Sequence, residues 1–202
     1  MKTDDLQTKK AINDNNMRVI ITKRMLREGL LRCLKHTDIE KISISELCRE
    51  SQINRATFYN HYDTPKDILI EMGWEYAHSV KDLFNSNPKL NLKERIVKCI
   101  SVLHENKDQI KVQISASADK NMMDVTAEMF SWIFSNIVDI KNALGLKDDI
   151  ECDLVYTSFG WASYQLLRKW IKDDLNKTPE EIAEVLLKAL SVNKYGDKLI
   201  IS

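Results

Sequence analysis

The chain has 202 residues, with 30 basic and 30 acidic side chains, so its formal charge is zero and nothing draws it as a whole toward nucleic acid or a charged surface. Five glycines and three prolines are too few for a turn-rich β protein and favour long helices. Cys33, Cys48, Cys99 and Cys152 stand far apart, with no CxxC pair and no histidine at ligand spacing, which argues for reduced core thiols over disulfides or a zinc site. The first 16 residues are polar and no apolar run reaches membrane-spanning length, so a soluble cytoplasmic protein with no membrane partner is expected.

In chain order, residues 1–16 end in an NDNN run and read as a disordered arm, in which Lys2, Lys9 and Lys10 are offset by Asp4, Asp5 and Asp14. A first helix is expected from Thr22, or from Met17, to Lys35, with Leu26, Leu30, Cys33 and Leu34 on its buried face. Ser43 and Glu46 have the spacing of a capping box and open a short helix through Glu50. Ser51–Ile53 breaks the pattern, and Asn54 caps a second short helix from Arg55 to about His61. Thr64, Pro65 and Asp67 supply cap, first-turn proline and third-position carboxylate for a helix running to about Phe84. Further helices follow at Leu92–Glu105, capped by Asn91 and Glu94, over the shorter stretch Asp108–Ser117, and from Asn121 to Leu144, stopped by Gly145. The last two are read from Asp148 or Asp149 to Asp173, and from Pro179 to Ser191 behind Thr178 and Glu181; Asn193–Ser202 has no clear assignment. About nine helices with short connections make an all-α protein, with a domain over 17–72 and a second over 73–202.

Two short helices joined by a tight turn are a helix-turn-helix. Leu47, Ile53 and Phe58 are spaced to hold the pair together, which leaves Arg55, Ala56, Thr57, Tyr59, Asn60 and His61 facing outward, a mixture suited to bases and phosphates. Between Met17 and Tyr62 nine basic residues face five acidic ones, a modest positive footprint. The run Ile42–Ile44, Leu47–Cys48, Ile53–Asn54, Thr57–Tyr59, His61–Tyr62 and Asp67–Ile68 closely resembles the DNA-binding domain of TetR-family transcriptional regulators. The resemblance covers about a quarter of the chain, and Thr22–Leu34 is similar to that family's first helix. It implies double-stranded operator DNA as a partner and DNA contacts from Lys23, Ser45, Arg55, Ala56, Thr57, Tyr59, Asn60, His61 and Lys66. Arg55 has two candidate roles, guanine reader or phosphate contact, with base reading favoured and Asn60 as the alternative reader. Two positions depart from the family pattern: the usual turn glycine is Gln52, and the lysine that opens the fourth helix is Pro65, which would pass its phosphate contact to Lys66.

The later part offers apolar stripes. Ile182, Val185, Leu186, Ala189 and Leu190 form one in the final helix, and Tyr156, Gly160, Ser163, Tyr164 and Leu167 mix small and large residues in the helix before it. These are the candidates for a homodimer interface, because a single reading helix covers few base pairs and paired half-sites add affinity. Gly160–Trp161, Trp170 and Thr178–Ile182 also look like the carboxy-terminal domain of a Firmicutes-type branch that includes regulators of dihydroxyacetone-kinase operons, although a glycine often found after the tryptophan is absent. That branch implies either a small-molecule effector or a protein partner. Tyr76, Phe84, His104, Met123, Phe130, Phe134 and Phe159 are candidates to line an effector pocket, with ordinary core as the competing reading.

No Gly-rich phosphate loop, HExxH or GxSxG is present, nor a Ser/Cys–His grouping near a strand–turn–helix context, so no enzyme, cofactor or catalytic residue is expected. The reading is a dimeric regulator, most simply a repressor, acting on a pseudo-palindromic operator; the competing one is an all-α interaction module with weakened DNA binding.

Overall fold

The computed structural model describes residues 3–86, 89–116, 120–137 and 139–191, with side chains from Met17 onward except at 109, 113, 115, 116, 120, 121, 140, 143, 190 and 191. The tail expected to lack an assignment, Asn193–Ser202, lies outside the described residues, as do the side chains of Lys2, Lys9 and Lys10. Among the described residues there are ten α-helices, one short turn of 3-10 helix and no strand, the all-α architecture expected. None of these helices is long and apolar enough to cross a membrane. The chain divides into two compact units, Met1–Leu69 and Ile70–Ser202.

The first unit contains α1 (Thr3–Leu34), a 3-10 turn (Ile39–Lys41), α2 (Ile44–Ser51), α3 (Arg55–Tyr59) and the opening of α4 (Pro65–Asn85). Helix α1 runs from Thr3 to Leu34 and so takes in most of the stretch read as a disordered arm. Leu26 and Leu30 of α1 are fully buried with Leu47, Phe58 and Ile68, each burial contributing roughly 1.5–3 kcal/mol. Helices α1 and α2 meet at Gly29, where a Cβ would stand 2.8 Å from the Cβ and 3.0 Å from the backbone of Ser51. Ser51 is itself buried and returns its hydroxyl to the Leu47 carbonyl at 2.7 Å.

Local chemistry sets these helix ends. Ser43 Oγ accepts from the Glu46 N–H at 3.2 Å and Asn54 Oδ1 from the Thr57 N–H at 2.7 Å. Between them Gln52 adopts the left-handed conformation (φ 56°, ψ 31°), and the Ile53 N–H returns to the Cys48 carbonyl at 3.0 Å. Asp67 reaches back to the Thr64 and Asp63 N–H groups at 2.7 and 3.0 Å and starts α4 behind Pro65.

The second unit holds the rest of α4, then α5 (Leu92–Glu105), α6 (Lys107–Ala116), α7 (Lys120–Ile137), α8 (Ile140–Leu144), α9 (Asp149–Lys172) and α10 (Pro179–Ser191). Asn91 and Glu94 make both bonds of a capping box, at 3.0 and 2.9 Å. The single helix expected over Asn121–Leu144 is instead two. Asp139 caps a new start, accepting from the Asn142 N–H at 3.3 Å, because a short carboxylate bonds nearby backbone in competition with the continuing helix. Gly145 (φ 65°) stops α8 as expected. Two apolar clusters hold the unit: Ile100 and Leu103 with Leu167, Trp170, Ile171, Ile182 and Leu186, and Ala77, Val80 and Phe84 with Cys99, Met129 and Ile133. All four cysteines are free and buried, and burial pushes the Cys99 thiol up to about 11.

Candidate nucleic-acid interface

A five-residue helix such as α3 cannot stand alone. Phe58 anchors it, fully buried, with its ring 5.6 Å from Tyr59 and 6.1 Å from the buried Tyr62. Past Tyr59 the chain tightens: the His61 and Tyr62 N–H groups both return to the Phe58 carbonyl, at 2.9 and 3.0 Å, so α3 ends two residues before the predicted His61. With Phe58 facing inward, Arg55, Ala56, Tyr59 and Asn60 are exposed and Thr57 and His61 half-buried. Of the six residues expected to face outward four are exposed, and Arg55 among them meets the exposed Ser45 of α2.

Arg55 lies along that surface. Its Nη1 donates to Ser45 Oγ and its Nη2 to Tyr59 Oη, each at 3.4 Å. The bond to the Tyr59 hydroxyl holds the guanidinium pKa above its usual value, so Arg55 carries its charge throughout the accessible pH range. Lys23 of α1 stands with Nζ 5.6 Å from the centre of the Tyr62 ring. Lys66, expected to take over a phosphate contact, forms an ion pair with Glu40 of the 3-10 turn.

Residues 90–191, half of the chain, match the family model for the transcriptional regulator C-terminal region of the TetR type. The chain belongs to the TetR family of transcriptional regulators. It is 20% identical over 177 residues, 84% of its length, to the uncharacterized HTH-type transcriptional regulator YxbF of Bacillus subtilis. Over 73 residues, 36% of its length, it is 25% identical to DhaS of Lactococcus lactis, an HTH-type dhaKLM operon transcriptional activator. The chain spans less than half the length of these two curated relatives, 45% and 37%. In fold it is similar to a TetR transcriptional regulator from Streptococcus agalactiae, with a TM-score of 0.63 at 19% identity over 89% of this chain and 98% of that one.

In this TetR-family chain the residues offered for a subunit interface are mostly interior. Gly160, Ser163, Tyr164, Leu167, Ile182 and Leu186 are buried within the single chain. Gly160 faces Ser131 and Ala127 of α7, and Leu167, Ile182 and Leu186 pack with α5. The correction has a simple cause: a stripe at helical spacing marks a face that must be covered and does not name the cover. Val185 and Ala189 are exposed, Tyr156 is half-buried and the Leu190 side chain lies outside the described residues. The exposed large apolar residues of α9 are Ile150 (72%) and Leu154 (62%), which lie outside the mixed stripe at 156–167. Their four-residue spacing, continued to the half-buried Trp161, was the available signal.

Of the seven pocket candidates, Tyr76 and Phe130 pack against the same apolar cluster of α5, α9 and α10. Phe84 is buried in the α4–α5–α7 cluster with the Arg95 guanidinium 3.9 Å from its ring. His104 is exposed and stacked on Trp170 at 5.3 Å, at the far end of α5. Phe134 and Phe159 form an edge-on pair at 6.1 Å, Phe130 meets Tyr164, and Met123 is half-buried on α7. Tyr76 touches both apolar clusters, and its hydroxyl reaches the Cys99 carbonyl at 3.4 Å.

Proposed function

We propose that this transcriptional regulator acts as a cytoplasmic homodimer that binds a pseudo-palindromic DNA operator through α2 and α3 and represses by occupying it. The observation carrying this reading is the outward face of α3: Phe58 is fully buried while Arg55, Ala56, Tyr59 and Asn60 stand exposed beside Ser45. Such a short reading helix gains usable affinity when a second copy places its equivalent about one DNA turn away. The pairing surface in this reading is the outer side of α9 and α10, with Ile150, Leu154 and Val185, between 48% and 72% exposed, covered by their symmetry mates. An effector or protein partner held by the second unit modulates binding. The similarity to DhaS, an operon activator, favours activation as the second reading.

Mobility shifts on the DNA flanking the chain's own gene, with reporter expression in its presence and absence, test binding and separate repression from activation. Light scattering tests assembly. Leu154→Glu gives a folded monomer with weakened operator binding, whereas Leu186→Asp, 6% exposed in the native chain, unfolds the α5–α10 packing. A dimeric Leu154→Glu variant refutes the proposed surface.

A further inference from the structure

Resting on the operator-binding reading, the posture of Arg55 bears on which DNA sequences the chain selects. An arginine that reads guanine offers two parallel N–H groups to O6 and N7 of one base. Here the two arms of the fork are engaged by hydroxyls from two different elements, Ser45 at the start of α2 and Tyr59 at the end of α3. Both oxygens accept from the guanidinium, so both keep their own O–H hydrogen for a further acceptor. Among the described residues no carboxylate is paired with Arg55, and its positive charge is left to be met from outside. One fixed charge flanked by two exposed hydroxyl donors matches the unesterified oxygens of a phosphodiester.

We propose that Ser45, Arg55 and Tyr59 together form a phosphate clamp, and that α3 therefore reads A·T pairs through Asn60 and Ala56. Once Arg55 is engaged on the backbone, Ala56 and the cap residue Asn60 are the exposed side chains of α3 and its end left to meet base edges. Asparagine pairs with adenine N6 and N7, and an alanine methyl packs on the thymine methyl. Thr57 and His61 are half-buried, and the His61 ring lies 6.4 Å from that of Tyr62. The surface of α3 then carries no basic guanine reader.

The test is selection of binding sites from a random-sequence duplex library with the full chain. Affinities of Arg55→Ala, Ser45→Ala and the double variant are then measured against all single-base variants of the selected site at several salt concentrations. The expected half-site core consists of A·T pairs. Arg55→Ala lowers affinity about tenfold, the loss of one charge-assisted contact, and does so equally on matched and mismatched sites. The slope of log affinity against log salt becomes shallower by about one unit. Ser45→Ala costs less in the Arg55→Ala background than alone, because the two act on one phosphate. A G·C pair whose requirement disappears in Arg55→Ala makes that residue a base reader and overturns the clamp; a core of G·C pairs independent of Arg55 overturns the A·T assignment. A folded chain that enriches no sequence and shifts no DNA fails the operator-binding reading itself, and the inference with it.

Discussion

Gly160→Ala is the sharpest probe of how α7 and α9 are joined. A Cβ on Gly160 would stand 2.1 Å from Ser131 Oγ, 2.6 Å from the Ser131 nitrogen and 2.9 Å from the Ala127 carbonyl oxygen. The hydroxyl could rotate away, at the cost of its bond to the Ala127 carbonyl at 2.9 Å. The two backbone atoms cannot, and restoring ordinary contact at the nitrogen requires the helices to part by about 0.8 Å. Overpacking of this kind costs about 1–3 kcal/mol, and the better helix propensity of alanine offsets up to ~1 kcal/mol of it. The expected net is a destabilisation of about 1–2 kcal/mol, or roughly 2–8 °C in Tm for a chain of this size. The control is Gly73→Ala, whose Cβ meets only the flexible end of Met129, Sδ at 2.6 Å and Cε at 2.9 Å, and which should be neutral or mildly stabilising. Urea denaturation followed by circular dichroism measures both. A Gly160→Ala midpoint equal to or above that of Gly73→Ala would refute the close approach of α7 and α9.

The turn before α3 offers a gain: Gln52 holds φ at 56°, so Gln52→Gly should raise stability by about 0.5–1 kcal/mol, read from the urea midpoint, and no gain would mean that the side chain compensates the strain. Glu40→Gln removes one ion-pair partner of Lys66; on the operator-binding reading, affinity for non-specific duplex DNA then rises and its salt slope steepens, whereas an unchanged slope places Lys66 away from the backbone. Burial raises the Cys99 thiol from 9.0 to about 11, so its contribution to stability is intact below pH 9 and is lost as pH rises through 11. The difference in urea midpoint between the native chain and Cys99→Ala should therefore shrink over that range, and a constant difference would contradict the shift.

What could be read in the sequence was what nearby residues decide among themselves. Asn54, Asn91, Asp148 and Thr178 cap helices because a short polar side chain reaches an N–H three residues ahead, and those bonds form within one turn of chain. The helix-turn-helix was legible for the same reason: cap, break and the inward Phe58 lie within a dozen residues. Asp139 is the local signal that went unread, since apolar periodicity ran through it to Leu144 and outweighed one carboxylate. Periodicity also identified the buried stripes of α9 and α10 but could not name what covers them. Only the tertiary structure decided that α7 takes Gly160, that Leu167, Ile182 and Leu186 join one cluster with Ile100 and Leu103 of α5, and that Ile150 and Leu154 are left uncovered by the chain itself. Apolar burial has no direction of its own, so the same spacing serves a neighbour in the chain or a neighbour across an interface, and the choice rests on how whole helices fit around one another.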